Sequence, residues 1–185
     1  QSLWNDEGTS VALAQRSLAA ITRDASHDIH PPLYYYLLHA WVRLFGLSEF
    51  AVRALSALLG TLTVAGTYLL ARGRLGRAAA PVAAWLAALA PLQIYYSQEA
   101  RMYIGATLLG LLSMLAYDVL LARLASTPPR RWRWPAVGYL VATVAAVYTH
   151  YFAFTLLAAQ GLGVIGWWAK RRNIAGTRQV GRLLL

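Results

Sequence analysis

YYSQEARMY, residues 95–103, separates AAAPVAAWLAALAPLQI (78–94) from IGATLLGLLSMLAYDVLLARL (104–124). Each flanking run is close to the roughly 20 apolar residues needed to cross about 30 Å of hydrocarbon. Between them the chain places Gln98, Glu99 and Arg101, with tyrosines on both sides. Such a stretch reads as a tight loop, residues 97–101, where the chain leaves a bilayer and re-enters it. Tyrosines belong at that depth, where the ring is apolar and the hydroxyl is wet.

The rest of the sequence agrees with a membrane solvent. Hydrophobic residues make up 58% and charged residues 13%, against roughly 25% charged in a soluble domain. The net charge of +10 would suit nucleic acid, but the arginines form no stripe with interleaved aromatics. They sit in short loops between apolar runs, so no nucleic-acid partner is expected and bilayer orientation explains them. There is no cysteine, hence no disulfide and no thiolate metal site.

Working outward, the first strong span is 50–71, followed by the basic turn RGRLGR. The second runs over 78–96 and the third over 102–122, which ends in ARLASTPPRRWRW. From Pro135 to Trp168 the chain is nearly all apolar, broken only by THYF around His150. One helix of that length would measure roughly 50 Å, so two short spans meeting at His150 are expected. The run ends in KRRN, and residues 170–185 read as a basic tail leading to a further span. The predicted architecture is all-α: a polytopic transmembrane bundle of about five spans over 50–169, preceded by an outer-face region, 1–49. The start at Gln1 and the stop at GRLLL read as a piece of a longer protein.

Lysine and arginine bias sets orientation. Arg72, Arg74, Arg77, Arg123, Arg130, Arg131, Arg133, Lys170, Arg171 and Arg172 fall on one side, the cytoplasmic one. The opposite face receives Asp6, Glu7, Asp24, Asp28, Glu49 and Glu99, together with all four histidines. There Thr9 or Ser10 is a plausible N-cap for a helix over 10–22. HPPLYYYLLHAWVRLFG, residues 30–46, predicts a helix opened by prolines and lying flat in the interface, with Leu33, Tyr34, Leu37, Leu38, Trp41, Leu44 and Phe45 on one side.

The outer face carries the candidate chemistry. Asp6-Glu7 precedes a helix, where a positive helix end favours an ionised carboxylate; ordinary helix-terminus chemistry would explain it equally. Asp28 and His30 precede the double proline, where a polar turn is the plain alternative. Arg53 lies one turn inside its span, where a charge must pair or snorkel. Asp118, near the inner end of the third span, could pair with Arg123. Carboxylates can take a proton from an attacking hydroxyl, and cationic groups can hold a phosphate and its developing charge. Asp6, Glu7 and Glu99 with His30, Arg53 and Arg101 at one membrane surface fit a lipid-linked phosphate.

WNDEG, HPPLYYYLLHAW, LFGLSEFAVRALSALLGTLTV and LAPLQIYYSQEARMY, in that order, resemble the polyprenol-phosphate-sugar-dependent GT-C glycosyltransferases, family 39-like. The similarity is greatest to the bacterial and archaeal group related to dolichyl-phosphate-mannose protein mannosyltransferases. The resemblance implies an Asp catalytic base at Asp6, with Glu7 beside it, and a donor phosphate held by His30, Arg53 and Arg101. It makes Asp28, Tyr34, Gln98, Glu99, Tyr103 and His150 candidates for the substrate-site lining. It leaves a divalent metal open, with Glu99 as candidate ligand. It implies inverting transfer of a sugar from a polyprenyl phosphate to a protein, lipid or glycan hydroxyl, on the periplasmic or extracellular side of the cell (inner) membrane. It also implies a preceding span and several later ones. The competing reading is a transporter or flippase that binds anionic lipid without chemistry; that reading calls for broken helices at mid-membrane.

Overall fold

The computed structural model describes residues 3–25, 30–126 and 131–183, with side chains through 169. Its helices are α1 (Asn5–Ala14), α2 (Leu18–Ala25), α3 (Leu33–Phe45), α4 (Glu49–Arg74), α5 (Ala79–Leu89), α6 (Pro91–Gln98), α7 (Tyr103–Ala125), α8 (Arg133–Thr149) and α9 (Ala153–Leu183). Among the described residues there is no strand. This is the all-α membrane bundle that the apolar runs imply. Asp28 lies outside the described residues.

Among the described residues, two helices are long and apolar enough to cross a membrane: α4 with 26 residues and α7 with 23. Ser48 caps α4, its Oγ accepting from the Ala51 N–H at 3.2 Å. Glu49 stands in the first turn of α4 and Arg72 and Arg74 in its last, each matched to the helix dipole. The second expected span is not continuous. It is the pair α5 and α6, bent by 58° at Pro91, which has no N–H to donate and forces Ala90 into extended backbone. The apolar run after Pro135 does break at His150, whose backbone is extended. However, α8 has only 17 residues, about 26 Å of rise. By length and composition the count among the described residues is therefore two spans, or three with the bent pair, rather than five.

α4 is the hub, packing against α5, α6 and α7, while α7 packs along α8. The approach of α6 to α4 requires a glycine. A Cβ on Gly60 would collide with the Ser97 hydroxyl and lie 2.8 Å from its Cβ. In the space this leaves, Gln93 Nε2 donates to the Gly60 carbonyl at 3.0 Å. Between α7 and α8 the buried hydroxyls of Ser113 and Thr143 share a hydrogen bond of 2.7 Å. At the far end Asp118 takes a two-pronged contact from Arg74, 2.6 and 2.8 Å. Arg123 was the sequence candidate for that partner. Five residues along one helix is a turn of about 140°, so Asp118 and Arg123 diverge, whereas α4–α7 packing brings Arg74 alongside.

Within residues 5–25 and 33–45 lie three short helices, α1 to α3, and α3 packs on α4. α1 starts at Asn5, five residues before the expected helix, with Trp4 as an N-cap that makes no side-chain bond. The hydroxyls of Thr9 and Ser10 do not cap; they bond back to the Asn5 and Asp6 carbonyls at 3.1 Å. α3 buries Tyr34, Tyr35, Leu38, His39 and Val42, while Leu37, Leu44 and Phe45 stay exposed. The buried stripe is thus rotated from the one expected. The reason is a partner: His39 Nδ1 meets the Ala14 carbonyl at 2.8 Å, and Trp41 Nε1 donates to Ala51 O at 2.7 Å. The core joins Val11, Ala14, Ile21, Leu38, Val52 and Leu55 to Ala100 and Met102 of the α6–α7 loop.

From residue 154 the chain forms a unit of its own. Its helix, α9, is apolar over Ala153–Ala169 and continues as helix through the basic KRRN to Leu183.

Candidate functional site

The α6–α7 loop is not a surface loop. Glu99, Ala100, Arg101 and Met102 are all buried, because Ala100 and Met102 belong to the core beneath α1 and α3. The turn is tight, with the Arg101 N–H donating to the Glu99 carbonyl at 2.8 Å. Two buried charged residues are therefore fixed on either side of an apolar anchor. Their partners come from far along the chain.

Glu7 is the keystone of this arrangement. Only 1% of it is exposed. Its Oε1 and Oε2 accept from Arg53 Nε at 3.0 Å and Nη2 at 2.6 Å, and Oε1 also accepts from the Ala100 N–H at 2.9 Å. Burial alone would raise its pKa, but the Arg53 hydrogen bonds and the Ala100 N–H outweigh it and hold the carboxyl below its ordinary value. Glu7 thus ties α1, α4 and the α6–α7 loop together as a carboxylate. Arg53, one turn inside α4, is charged there because Glu7 neutralises it.

Asp6, its neighbour, is differently placed. Its side chain is 53% exposed, and its Oδ2 lies 3.9 Å from Arg101 Nη2. Arg101 Nη1 also reaches the Asp6 carbonyl at 3.4 Å, whereas its buried Nε has no partner. Burial works against the Arg101 charge, but the surrounding Tyr103, Tyr35 and Asp6 more than offset it, so the guanidinium stays protonated. Glu99 is the third acid. Its Oε2 is buried with no hydrogen-bond partner, and burial, reinforced by Glu7 and Asp6 against the pull of Arg101, raises its pKa. Tyr34 is buried beneath the same elements, with its hydroxyl beside that of Ser56.

A run of rings leads away from Arg101. Its guanidinium carbon lies 5.7 Å from the centre of Tyr103, which stands 4.8 Å from Tyr96 and 5.8 Å from His150. His150 in turn meets His30 at 6.1 Å. The Phe152 N–H donates to His150 Nδ1 at 3.1 Å, which leaves Nε2 as the protonated nitrogen of the neutral ring. Burial and then the nearby His30 lower the His150 pKa, favouring that neutral form.

The structure thus sorts the sequence candidates into two groups. Asp6, Arg101, Tyr103, His150 and His30 form one chain of contacts. Glu7, Arg53, Gln98 and Glu99 line a cavity of about 630 Å³ between α1, α4 and α6, walled also by Trp4, Phe50, Ala54, Ala57, Tyr95 and Ser97. Trp4, Phe50 and Ser97 were not foreseen as lining residues. Phe50, Arg53, Ala54 and Ala57 do share one helical face, a signal that becomes readable only once α4 is known to border a cavity. Among the described residues no three groups of His, Cys, Asp and Glu gather as a metal would need. Glu99 has no such donor set around it among the described residues.

One buried ion pair, Arg53–Glu7, thus lies near the start of the apolar helix α4, with Glu99 and Arg101 beside it. Residues 29–175 match the family model described as dolichyl-phosphate-mannose-protein mannosyltransferase, and the chain belongs to that family. It is an integral membrane protein and a glycosyltransferase of the GT-C type. No curated protein and no solved structure gives a significant match.

Proposed function

We propose that this chain carries the donor end of a glycosyl transfer site. A sugar would pass from a polyprenyl phosphate to an acceptor hydroxyl on protein, lipid or glycan, on the periplasmic or extracellular face of the cell membrane. The observation that carries the reading is Asp6: a half-exposed carboxylate 3.9 Å from the buried cation Arg101. A proton acceptor and an anion-holding group stand side by side, as displacement at a phosphate-bearing carbon requires.

Asp6 takes the proton of the acceptor hydroxyl, and the oxygen attacks the anomeric carbon. The carbon–oxygen bond to phosphate breaks with its electron pair, so the polyprenyl phosphate leaves as an anion and the carbon inverts. Arg101 meets that anion, with His30 and the Nε2–H of His150 as further donors along the ring chain. Tyr103 orients Arg101. Arg53 acts indirectly: its charge is matched by Glu7, and the pair holds Ala100 and hence the loop that bears Arg101. Glu7 on this reading positions rather than abstracts, because both of its oxygens are engaged.

The bend at Pro91 is the one feature that speaks for lipid transport, since transporters use broken helices. Family membership supports transfer.

The test is transfer from a polyprenyl-phosphate sugar by the purified, reconstituted protein. Asp6→Asn should lower kcat by about 10²–10⁴-fold without loss of donor affinity, and Arg101→Ala should weaken donor binding. An Asp6→Asn protein that keeps full turnover would falsify the base assignment.

A further inference from the structure

We infer that the start of α8 is a docking site for an anionic phospholipid, with the phosphate held by Arg131 and Arg133 and the glycerol region met by Trp132 and Trp134. It is separate from the proposed transfer site, since Tyr103 and His150 of that site meet at the opposite ends of α7 and α8. The first support is location. α7 and α8 pack in antiparallel register, with the Ser113 and Thr143 hydroxyls 2.7 Å apart and the Tyr117 and Tyr139 rings 6.0 Å apart. Continuing that register sets Arg133 level with Arg123, in the last turn of α7. α7 is long and apolar enough to cross a membrane, so α8 begins at the depth where hydrocarbon gives way to headgroups.

The second support is an unbalanced charge. Asp118 is the last acid in the sequence, and Arg74 engages both of its oxygens. Arg72, Arg74 and Arg123 stand in the last turns of α4 and α7, where the negative helix end accounts for a cation. Arg131 and Arg133 have the opposite setting. They stand at the positive end of α8, which has no acid in its first turn and no side-chain cap. The dipole therefore adds to their charge instead of offsetting it, and no carboxylate follows in the sequence to neutralise them. An anion from outside the chain supplies what this end lacks.

The third support identifies that anion as a lipid. Trp132 and Trp134 alternate with the arginines, and Trp134 is 81% exposed. Indole rings beside guanidinium groups suit the headgroup layer, which is apolar on one side and wet on the other. From Trp134 the exposed Val137, Val141 and Val144 follow helical spacing along one face of α8, a surface on which an acyl chain can lie. A soluble anion would satisfy the arginines and leave the indoles and this stripe without a role.

The probe is fluorescent phosphatidylglycerol titrated against the detergent-purified protein, with phosphatidylcholine and soluble glycerol phosphate as competitors. The wild type should bind the probe, release it as ionic strength rises, and yield it to neither competitor at equal concentration. Arg131→Gln and Arg133→Gln should each weaken binding about fivefold, or about 1 kcal/mol per arginine. Both side chains are exposed, so an unchanged Tm will show that the variants are folded. Arg43→Gln, which removes an exposed arginine from α3, should leave binding as it is. Displacement by phosphatidylcholine would mean that only acyl chains are read, and displacement by glycerol phosphate would mean a site for soluble anions. An equal loss from Arg43→Gln would mean that net charge alone attracts the lipid. Any of these results overturns the site, as does a wild type that ignores the probe or a pair of arginine variants that bind it like wild type.

Discussion

Replacing Glu7 with alanine is the most demanding test of how this site is held together. The substitution would leave Arg53 without its two-pronged partner and Ala100 without an acceptor for its N–H. Removing one member of a buried, hydrogen-bonded ion pair costs about 3–5 kcal/mol. Arg53 keeps 27% of its side chain exposed, so water recovers part of the loss and the lower end, about 3 kcal/mol, is expected. For a chain of this size that lowers Tm by about 6–12 °C, measurable by thermal unfolding in detergent. Arg53→Ala should cost at least as much, since it leaves the Glu7 carboxylate, 1% exposed, without its cation. The double variant should be less destabilised than the sum by about 1–3 kcal/mol, because each single change already forfeits the pair. Glu7→Ala within about 0.5 kcal/mol of wild type, or strict additivity in the cycle, would refute the claim that the pair clamps the loop. The pH dependence has a fixed sign. Folding lowers the Glu7 pKa, so the folded state binds fewer protons. The clamp is at full strength above the ordinary value of 4.5 and is lost as pH falls through the lowered value.

Glu99 should behave oppositely. Its raised pKa means that ionisation costs stability as pH rises above 4.5, so Glu99→Gln should raise Tm at pH 7 and gain nothing at pH 4. Gly60→Ala should destabilise by about 1–3 kcal/mol, since its Cβ would crowd Ser97, and pairing it with Ser97→Gly should recover the loss. Gly73→Ala, whose Cβ meets nothing within 4 Å, should be neutral or mildly stabilising, which controls for helix propensity. Asp118→Asn should cost only about 0.2–1 kcal/mol, because the Arg74–Asp118 pair is substantially exposed. A larger Tm loss there would mean that the pair lies deeper than its exposure indicates.

Local chemistry made much of this protein legible from its sequence. Apolar run lengths gave the membrane class and the positions of α4 and α7, and the excess length after Pro135 gave the break at His150. Proline was the local signal undervalued: Pro91 bends the second run, and α8 is too short to count as a span. The order of motifs pointed to the family, and Asp6, Glu7, Arg53, Glu99 and Arg101 were singled out from charge in an apolar chain.

Partnership was not legible. Glu7 meets Arg53 across 46 positions and Ala100 across 93, and Asp118 meets Arg74 rather than its neighbour Arg123. Neither the buried face of α3 nor the burial of Glu99–Met102 follows from periodicity, because both sides of α3 are apolar and a polar loop normally faces water. By itself the sequence determined solvent and secondary structure, since transfer into hydrocarbon and helix formation depend on neighbouring residues. Only the tertiary structure decided which carboxylate is clamped and which stands free beside a cation, since a charge is fixed by what other helices bring within about 4 Å of it.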